Sequence, residues 1–245
     1  MRIQDYRNRI YEHYAFNFQD ALTHFDLRAA FRWAKGYDYY LRNWLPANKA
    51  ADIVDVACGG GKLLHFFKER DYTRVTGVDI SPEQVKLARQ VIPDVTEANA
   101  IDFLESHKGA FDLITGLDIV EHFNKEETLR FLDACNGALR SGGRLILQTP
   151  NAESPWGTHH RYNDFTHETG FNPNLLTRLL NICGFQAIEA REQGPVPWGY
   201  SLKSTIRFVV WQCIRLILIV WNLAETGTVG SGVFTRVFVI SAIKK

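Results

Sequence analysis

The chain has 245 residues, 46% hydrophobic and 22% charged, so it can bury a core and global disorder is excluded. Its 28 Lys and Arg against 27 Asp and Glu give a net charge of +1, so charge provides no reason to expect a nucleic-acid partner. The four cysteines lie far apart without CxxC spacing, which argues against a disulfide scaffold or structural zinc site and fits reduced thiols in a cytosol. The charged start of the chain lacks an apolar run, so we expect no signal peptide and a cytoplasmic location.

The first part of the chain, residues 1–48, is predicted to be a helical N-terminal cap. Aromatic residues recur there among charged ones as far as Trp33, and Pro46 ends the helical pattern. The remaining residues, 49–245, are predicted to form one larger domain.

Short apolar runs alternate with helical segments from residue 51 onward. The predicted strands are 53–57, 74–79, 94–98, 111–115, 144–149, 185–190 and 233–243. The predicted helices are 62–70, one beginning at Ser81-Pro82, 125–139 and 174–183, with a turn at 141–143. This alternation predicts an α/β fold with a doubly wound, seven-stranded, mostly parallel sheet between layers of helices.

A glycine-rich loop, Asp55–Gly61, follows the first predicted strand. Glycine lets the backbone approach a ligand closely, and the next helix offers unpaired N–H groups. A dinucleotide fingerprint would need glycine at Leu64, and a phosphate-binding P-loop would need Ser or Thr at Leu63. Both of those ligand classes are therefore disfavoured.

An acidic residue, Asp79, ends the second predicted strand, 20 residues after Gly59. A carboxylate there can accept both hydrogen bonds of a ribose diol. The alternative is that Asp79 only caps the next helix, but Ser81 already suits that role. The glycine-rich loop and Asp79 together therefore favour a ligand that contains a nucleoside.

Several segments in this order resemble the class I S-adenosylmethionine-dependent methyltransferases over residues 50–190. They are Val54–Gly61, Gly77–Ser81, Glu97–Asp102, Phe111–Ile114, Leu117–Phe123 and Leu139–Ile146. The chain departs from the family pattern at Ala57, where glycine is usual, and at Asn99, where aspartate is usual. The resemblance implies a Rossmann-like methyltransferase fold, S-adenosyl-L-methionine as methyl donor and S-adenosyl-L-homocysteine as product.

The resemblance also implies which residues contact the cofactor. Asp55 would hold the methionine amino group, Asp79 the ribose, and Asn99 the adenine amino group. The other implied contacts are Cys58, Gly59, Gly61, Ile80, Ala100, Ile101, Leu117 and Asp118. The N-terminal cap, with Tyr11, Tyr14 and Trp33, is expected to close over this cofactor.

A first polar cluster, Asp118, Glu121 and His122, could activate the molecule that accepts the methyl group. At helical spacing these side chains face one way and could bind a divalent cation that acidifies a hydroxyl. The segment resembles the ExxEH segment of ubiquinone-biosynthesis O-methyltransferases, with Asp118 in place of the first Glu. The alternative is that no metal binds and Glu121 caps a helix, with His122 left as a candidate catalytic group.

A second polar cluster lies between residues 158 and 168. His167 is a candidate base that Asp164 or Glu168 could orient. Further candidate acceptor-binding residues are His159, His160, Arg161, Tyr162 and Glu168. The alternative is a solvated loop that braces the next helix.

The acceptor itself is suggested only by resemblance. Segments between residues 150 and 171 are similar to methyltransferases of bacterial surface-polysaccharide biosynthesis, which implies O-methylation of a saccharide or lipid-linked saccharide. The alternatives are a phenolic or quinone-type acceptor and a cofactor-binding protein that no longer transfers a methyl group.

A helical insertion is predicted at 195–230, before the last strand, and contains the apolar stretch 208–224. At 100° per residue its few polar residues fall on one side. Three interpretations compete: a helix packed in the core or in a homodimer, a helix of residues 205–224 lying on the membrane surface, and a membrane span. A span is disfavoured by its length and by the central Arg215.

Overall fold

The computed structural model of the protein describes Ile10 and residues 24–245. Its sheet contains β1 (Asp52–Val56), β2 (Arg74–Asp79), β3 (Val95–Glu97), β4 (Phe111–Leu117), β5 (Leu139–Pro150), β6 (Phe185–Glu192) and β7 (Val237–Lys244). The strand order is β3-β2-β1-β4-β5-β7-β6. Strands β1 to β5 pair in parallel, whereas β7 is antiparallel to both β5 and β6. The predicted seven-stranded, mostly parallel sheet is confirmed.

The helices flank this sheet. They are α1 (Leu27–Tyr40), α2 (Lys62–Lys68), α3 (Pro82–Ala88), α4 (Ala100–Ser106), α5 (Lys125–Ala138), α6 (Gly157–Asn163), α7 (Pro173–Ile182) and α8 (Leu202–Thr226). A 3-10 turn, Val120–His122, follows β4. Ser81 caps α3 by accepting the Gln84 N–H, and Pro82 occupies the first turn, as predicted. Helices α4 and α6 were not predicted.

Two boundaries differ from the sequence prediction. Strand β5 begins at Leu139 rather than Arg144, so the predicted turn, with Gly142 at φ +74°, is a bulge inside the strand. Strand β7 begins only at Val237, four residues later than predicted. The cause is Asn151, whose side-chain amide donates to the carbonyls of Val233 and Thr235 at 2.8 and 3.0 Å and so replaces strand pairing there.

The core lies on both faces of the sheet, because successive strand residues point to opposite sides. Val54, Ile114 and Leu147 belong to the cluster that packs with α5 and α7. The residues beside them on the same strands, Ile53, Leu113 and Ile146, belong to the cluster that packs with α1 and α2. The described part of the predicted N-terminal cap, α1, is thus packed onto one face of the sheet. Tyr11 and Tyr14 lie outside the described residues.

The insertion between β6 and β7 is helical, as predicted, but its helix does not enter the core. Within α8 only Ser204 is buried. The expectation of a core helix is therefore wrong for this segment, because its apolar side chains face away from the sheet. By length and composition α8 could cross a membrane.

Candidate functional site

The candidate site begins where the strand order reverses, at the carboxyl ends of β1 and β4. Such switch points form ligand crevices in open α/β sheets. After β1 the chain turns through left-handed backbone at Ala57 (φ +55°), Gly59 (φ +51°) and Gly61 (φ +88°). A glycine at position 57 would adopt this conformation without the strain of about 1 kcal/mol that a Cβ adds. The loop keeps its shape despite this departure from the family pattern.

Asp79, at the end of β2, connects this loop to α3. Its Oδ2 accepts the Gly59 N–H at 2.8 Å, and its Oδ1 accepts the Ser81 N–H at 2.9 Å. Burial raises the pKa of this carboxyl even though both bonds favour its charged form. A carboxylate can accept about four hydrogen bonds, so acceptor capacity remains for a diol.

Asp55 lies beneath the loop and is buried. Thr115 Oγ1 of β4 donates to its Oδ1 at 2.7 Å. Burial raises the pKa of Asp55 to about 7, and the neighbouring Asp79 charge adds to that rise. A positive charge bound nearby would lower this pKa and favour the ionised form of Asp55.

Asp118 follows β4 in left-handed backbone, with φ +55°. Its side chain is exposed, yet desolvation by the surrounding protein raises the pKa of its carboxyl to about 6. Gln148 Nε2 donates to Asp118 Oδ2 at 2.7 Å. Gln148 Oε1 in turn accepts from the Tyr37 hydroxyl of α1 and from Gln193 Nε2.

This hydrogen-bonded network ties the described part of the cap to the site. Tyr37 is buried, and Trp33 stacks on its ring with 3.6 Å between centroids. Of the three aromatic residues predicted to cover the cofactor, Trp33 therefore reaches the site through Tyr37.

The carboxyls Asp55, Asp79 and Asp118 all lie at adjoining strand ends and all have raised pKa values. A positively charged ligand would lower these pKa values, because it favours the ionised carboxylates. S-adenosylmethionine carries an ammonium and a sulfonium as well as a ribose diol, so the residues present fit it. Asp55 and Asp118 would face its methionine end and Asp79 its ribose.

The other predicted cofactor residues line the same edge. Cys58 is buried, and burial raises the pKa of its thiol well above the usual value, so it stays neutral. Asn99 Oδ1 accepts the N–H groups of Ile101 and Asp102 at 2.9 and 3.4 Å and so caps α4. The oxygen predicted to accept from the adenine amino group is thus engaged in the cap. Ile80 is exposed, Ala100 and Leu117 are half-buried, and Ile101 is buried.

The 3-10 turn after Asp118 carries a third buried carboxyl, Glu121. Its Oε2 accepts from Thr149 Oγ1 at 3.0 Å. Its Oε1 is buried and has no hydrogen-bond partner among the described residues. Burial, reinforced by the nearby Asp118, raises the pKa of Glu121 well above its usual range.

His122, beside Glu121, is oriented by a pair of residues from the loop after α6. Its Nδ1 lies 2.8 Å from Thr166 Oγ1, and Thr166 Oγ1 lies 2.7 Å from Asp164 Oδ1. An ionised Asp164 can only accept, so the single hydroxyl proton of Thr166 goes to it and His122 Nδ1 must be the donor. Nε2 is then the basic nitrogen of a neutral His122.

The candidate metal ligands differ from the predicted set. Ligand atoms of Glu121, His122 and His167 lie within 4.8 Å of one another. The prediction had Asp118 in place of His167. In the structure the Asp118 carboxyl accepts from Gln148, and its place among the ligands stays a prediction. Two imidazoles and one carboxylate could hold Zn²⁺ or another transition-metal ion, whereas Mg²⁺ and Ca²⁺ prefer all-oxygen sites.

The remaining acceptor candidates lie on α6 and the loop after it. Arg161 donates to the carbonyls of His167 and Glu168, so its guanidinium holds the loop. The Glu168 N–H donates to the Glu121 carbonyl at 2.8 Å. His159 and Tyr162 are exposed, and His160 lies in the same helix. Asp164 Oδ1 accepts from Thr166, which contacts His122, and the Asp164 carbonyl accepts the His167 N–H at 3.3 Å. That Asp164 or Glu168 orients His167 as a base stays a prediction.

Sequence reasoning missed the polar side chains that support the predicted ones. These are Tyr37, Thr115, Gln148, Thr149, Thr166 and Gln193. A usable signal was present for some of them. Burying a polar side chain without a hydrogen-bond partner is costly. Polar residues near the ends of otherwise apolar strands, such as Thr115, Gln148 and Thr149, therefore indicate a polar site.

Comparison with known proteins agrees with this geometry. A family described as "Methyltransferase domain" matches residues 25–190. The ubiquinone biosynthesis O-methyltransferase of Xanthomonas campestris pv. campestris (strain B100) is 33% identical over 180 residues, 64% of this chain and 72% of that protein. The corresponding protein of Xanthomonas euvesicatoria pv. vesicatoria (strain 85-10) is 30% identical over the same shares.

Solved structures share the fold. A SAM-dependent methyltransferase from Archaeoglobus fulgidus superposes with a TM-score of 0.63 at 21% identity and covers 89% of this chain and 100% of its own. Haemonchus contortus phosphoethanolamine N-methyltransferase 2, in complex with S-adenosyl-L-methionine, gives 0.64 at 16% identity, covering 99% and 60%. The chain belongs to the methyltransferase-domain family and is a class I S-adenosylmethionine-dependent methyltransferase.

Proposed function

We propose that this methyltransferase transfers the methyl group to a phenolic hydroxyl. The observation that carries the proposal is His122, a histidine with a fixed tautomer, four residues after the cofactor-end carboxyl Asp118. The relatives at 30 to 33% identity are named as ubiquinone biosynthesis O-methyltransferases, which favours a phenol or quinone precursor as acceptor.

The chemistry required of the protein is modest. Bound S-adenosylmethionine supplies an electrophilic methyl group on a sulfonium. His122 Nε2 would accept the phenolic proton and orient the acceptor oxygen toward that methyl group, and S-adenosylhomocysteine would be the second product. A phenol has a pKa of about 10, so a neutral imidazole can assist its ionisation.

A cation at Glu121, His122 and His167 is the second way to ionise the acceptor. The buried, unpartnered Glu121 Oε1 supports this arrangement. Glu121, His122 and His167 would hold the ion, and the ion would lower the pKa of a coordinated hydroxyl. In that case His122 would serve as a ligand, and Thr166 would still fix its ring orientation.

The saccharide acceptor remains a prediction that the same assay tests. Purified protein is incubated with S-adenosylmethionine and separate panels of ortho-dihydroxyphenols, nucleotide sugars and glycans, and S-adenosylhomocysteine and the methylated product are measured. We expect turnover on phenols. Turnover on sugars alone would overturn this proposal and favour a saccharide as the acceptor. Since the charge and cysteine patterns fit a cytosolic protein, we place the reaction on the cytoplasmic side.

A further inference from the structure

Helix α8 attaches to the rest of the protein through its polar residues. Ser204 exchanges hydrogen bonds with the backbone of Val196, at 3.0 and 2.8 Å. Trp211 Nε1 donates to Glu192 Oε2 at 2.9 Å, and Arg215 Nε donates to the Gly232 carbonyl at 2.9 Å. These residues fall at spacings of seven and four along one side of the helix, so the polar stripe faces the domain.

The opposite side of α8 is an exposed apolar ridge. Every exposed residue between positions 209 and 224 is apolar, which reverses the usual arrangement of a surface helix. These residues are Val209, Val210, Cys213, Ile214, Leu216, Ile217, Val220, Trp221, Leu223 and Ala224. The one charged residue in that interval, Arg215, is turned toward the domain, where it lies 3.7 Å from Glu192. An apolar surface of this extent marks an interaction site.

A membrane-spanning arrangement of α8 conflicts with its connections. The strands before and after it, β6 and β7, are direct neighbours, with Glu192 opposite Phe238. A spanning helix would force residues 227–236 back across about 30 Å of hydrocarbon as irregular backbone, which lipid does not tolerate. Contacts at Ser204, Trp211 and Arg215 instead hold the helix lengthwise against the domain. Its apolar ridge can therefore only meet a surface side-on.

The residues around the ridge indicate a lipid surface. Lys203 and Arg207 are exposed at its N-terminal end, and the one acidic residue of α8, Glu225, lies in the last turn, where it accepts from Trp221. The N-terminal end of the helix therefore complements anionic head groups. Trp198, Tyr200 and Trp221 are also exposed, and such rings favour the membrane interface. A protein partner would need hydrogen bonds across the interface, and the exposed ridge residues offer almost none.

We propose that α8 lies in the plane of an anionic phospholipid bilayer, with its apolar ridge among the upper acyl chains and its polar stripe bound to the methyltransferase domain. This docking does not depend on the identity of the acceptor. The segment after α8 is held by Glu153, whose Oε1 accepts the Ser231 N–H at 2.8 Å. Glu153 belongs to the stretch between β5 and α6, so the bilayer contact and the candidate acceptor loop are mechanically joined.

Vesicle co-sedimentation of the full chain tests this proposal. The probes are phosphatidylcholine vesicles with and without phosphatidylglycerol. Val210→Glu/Ile217→Glu places charges on two ridge residues, which are 53% and 64% exposed. We expect this variant to lose roughly tenfold or more in affinity, because the buried apolar area supplies most of the binding. Lys203→Gln/Arg207→Gln should lose roughly 30-fold on phosphatidylglycerol vesicles only.

Ile182→Glu is the matched control, because Ile182 is 75% exposed on α7, away from α8. It should bind vesicles like the wild type, and all variants should retain S-adenosylhomocysteine binding. Failure of the wild type to bind either vesicle overturns the proposal. So does a dimer in analytical ultracentrifugation that only Val210→Glu/Ile217→Glu dissociates, because the ridge would then bind a second copy.

Discussion

His122 Nδ1 lies 2.8 Å from the hydroxyl oxygen of Thr166, and this contact decides which nitrogen of the imidazole is basic. Thr166 is fully buried, and both its N–H and its hydroxyl are directed to Asp164 Oδ1, at 2.8 and 2.7 Å. These contacts connect Asp164 to His122 through Thr166.

Thr166→Val keeps the shape of the side chain and removes the hydroxyl. We expect kcat to fall by roughly 10- to 100-fold, because His122 loses its fixed tautomer and Asp164 loses a donor. KM for S-adenosylmethionine should stay unchanged, since the hydroxyl lies on the acceptor side. Steady-state kinetics with a phenolic acceptor measure both parameters.

Thr166→Ser is the control for that experiment. Serine restores the hydroxyl, so it should recover most of kcat, whereas a role confined to the methyl group would impair the serine variant and spare the valine variant. Equal turnover of the valine variant and the wild type would exclude the relay from Asp164 through Thr166 to His122.

Asp79→Asn should weaken S-adenosylhomocysteine binding by roughly 30-fold, about 2 kcal/mol, because a charged acceptor is lost from the ribose position. Isothermal titration calorimetry measures the change. Asp94→Asn is the control, because Asp94 precedes β3 and accepts from Thr76, three residues before the carboxyl end of β2 at Asp79. If both variants bound like the wild type, Asp79 would have only its structural role toward Gly59 and Ser81.

We expect Asp55 to make the ligand-free protein less stable as the pH rises. Its pKa is raised from 3.8 to about 7, so between those values the folded protein holds a proton that the unfolded chain has released. Stability is lost as the pH rises through that window, by up to about 4 kcal/mol. Asp55→Asn should therefore raise the ligand-free stability at pH 8 while weakening S-adenosylhomocysteine binding.

Denaturant unfolding of both proteins at pH 8 and pH 4 checks the effect of Asp55. At pH 4 the native carboxyl is protonated in the wild type, so the two proteins should differ little. An equal gain at both pH values would show that packing, not charge, separates aspartate from asparagine here.

The sheet was predictable because its strands are short apolar runs and its helices carry local start signals such as Ser81-Pro82. The glycine loop and Asp79 were predictable because their spacing along the chain fixes their positions at adjoining strand ends. The His122–Thr166 contact was not, because it joins residues 44 positions apart. The fourth member of the Asp118 network, Gln193, lies 156 residues from Tyr37, and nothing local marks it.

Cation binding distinguishes the set of ligands in the structure from the set that the sequence suggested. The structure groups Glu121, His122 and His167, so Glu121→Gln and His167→Asn should abolish binding of Mn²⁺ or Zn²⁺ to the protein. Asp118→Asn should leave the ion bound, although it should weaken S-adenosylhomocysteine binding if, as the family resemblance implies, Asp118 contacts the methionine end. Electron paramagnetic resonance of Mn²⁺ and competition with a zinc indicator measure the ion directly, without reference to turnover. Loss of the ion in Asp118→Asn, with retention in His167→Asn, would restore the ligand set suggested by sequence. Full turnover after chelator treatment would leave His122 as the base and exclude an ion from the reaction.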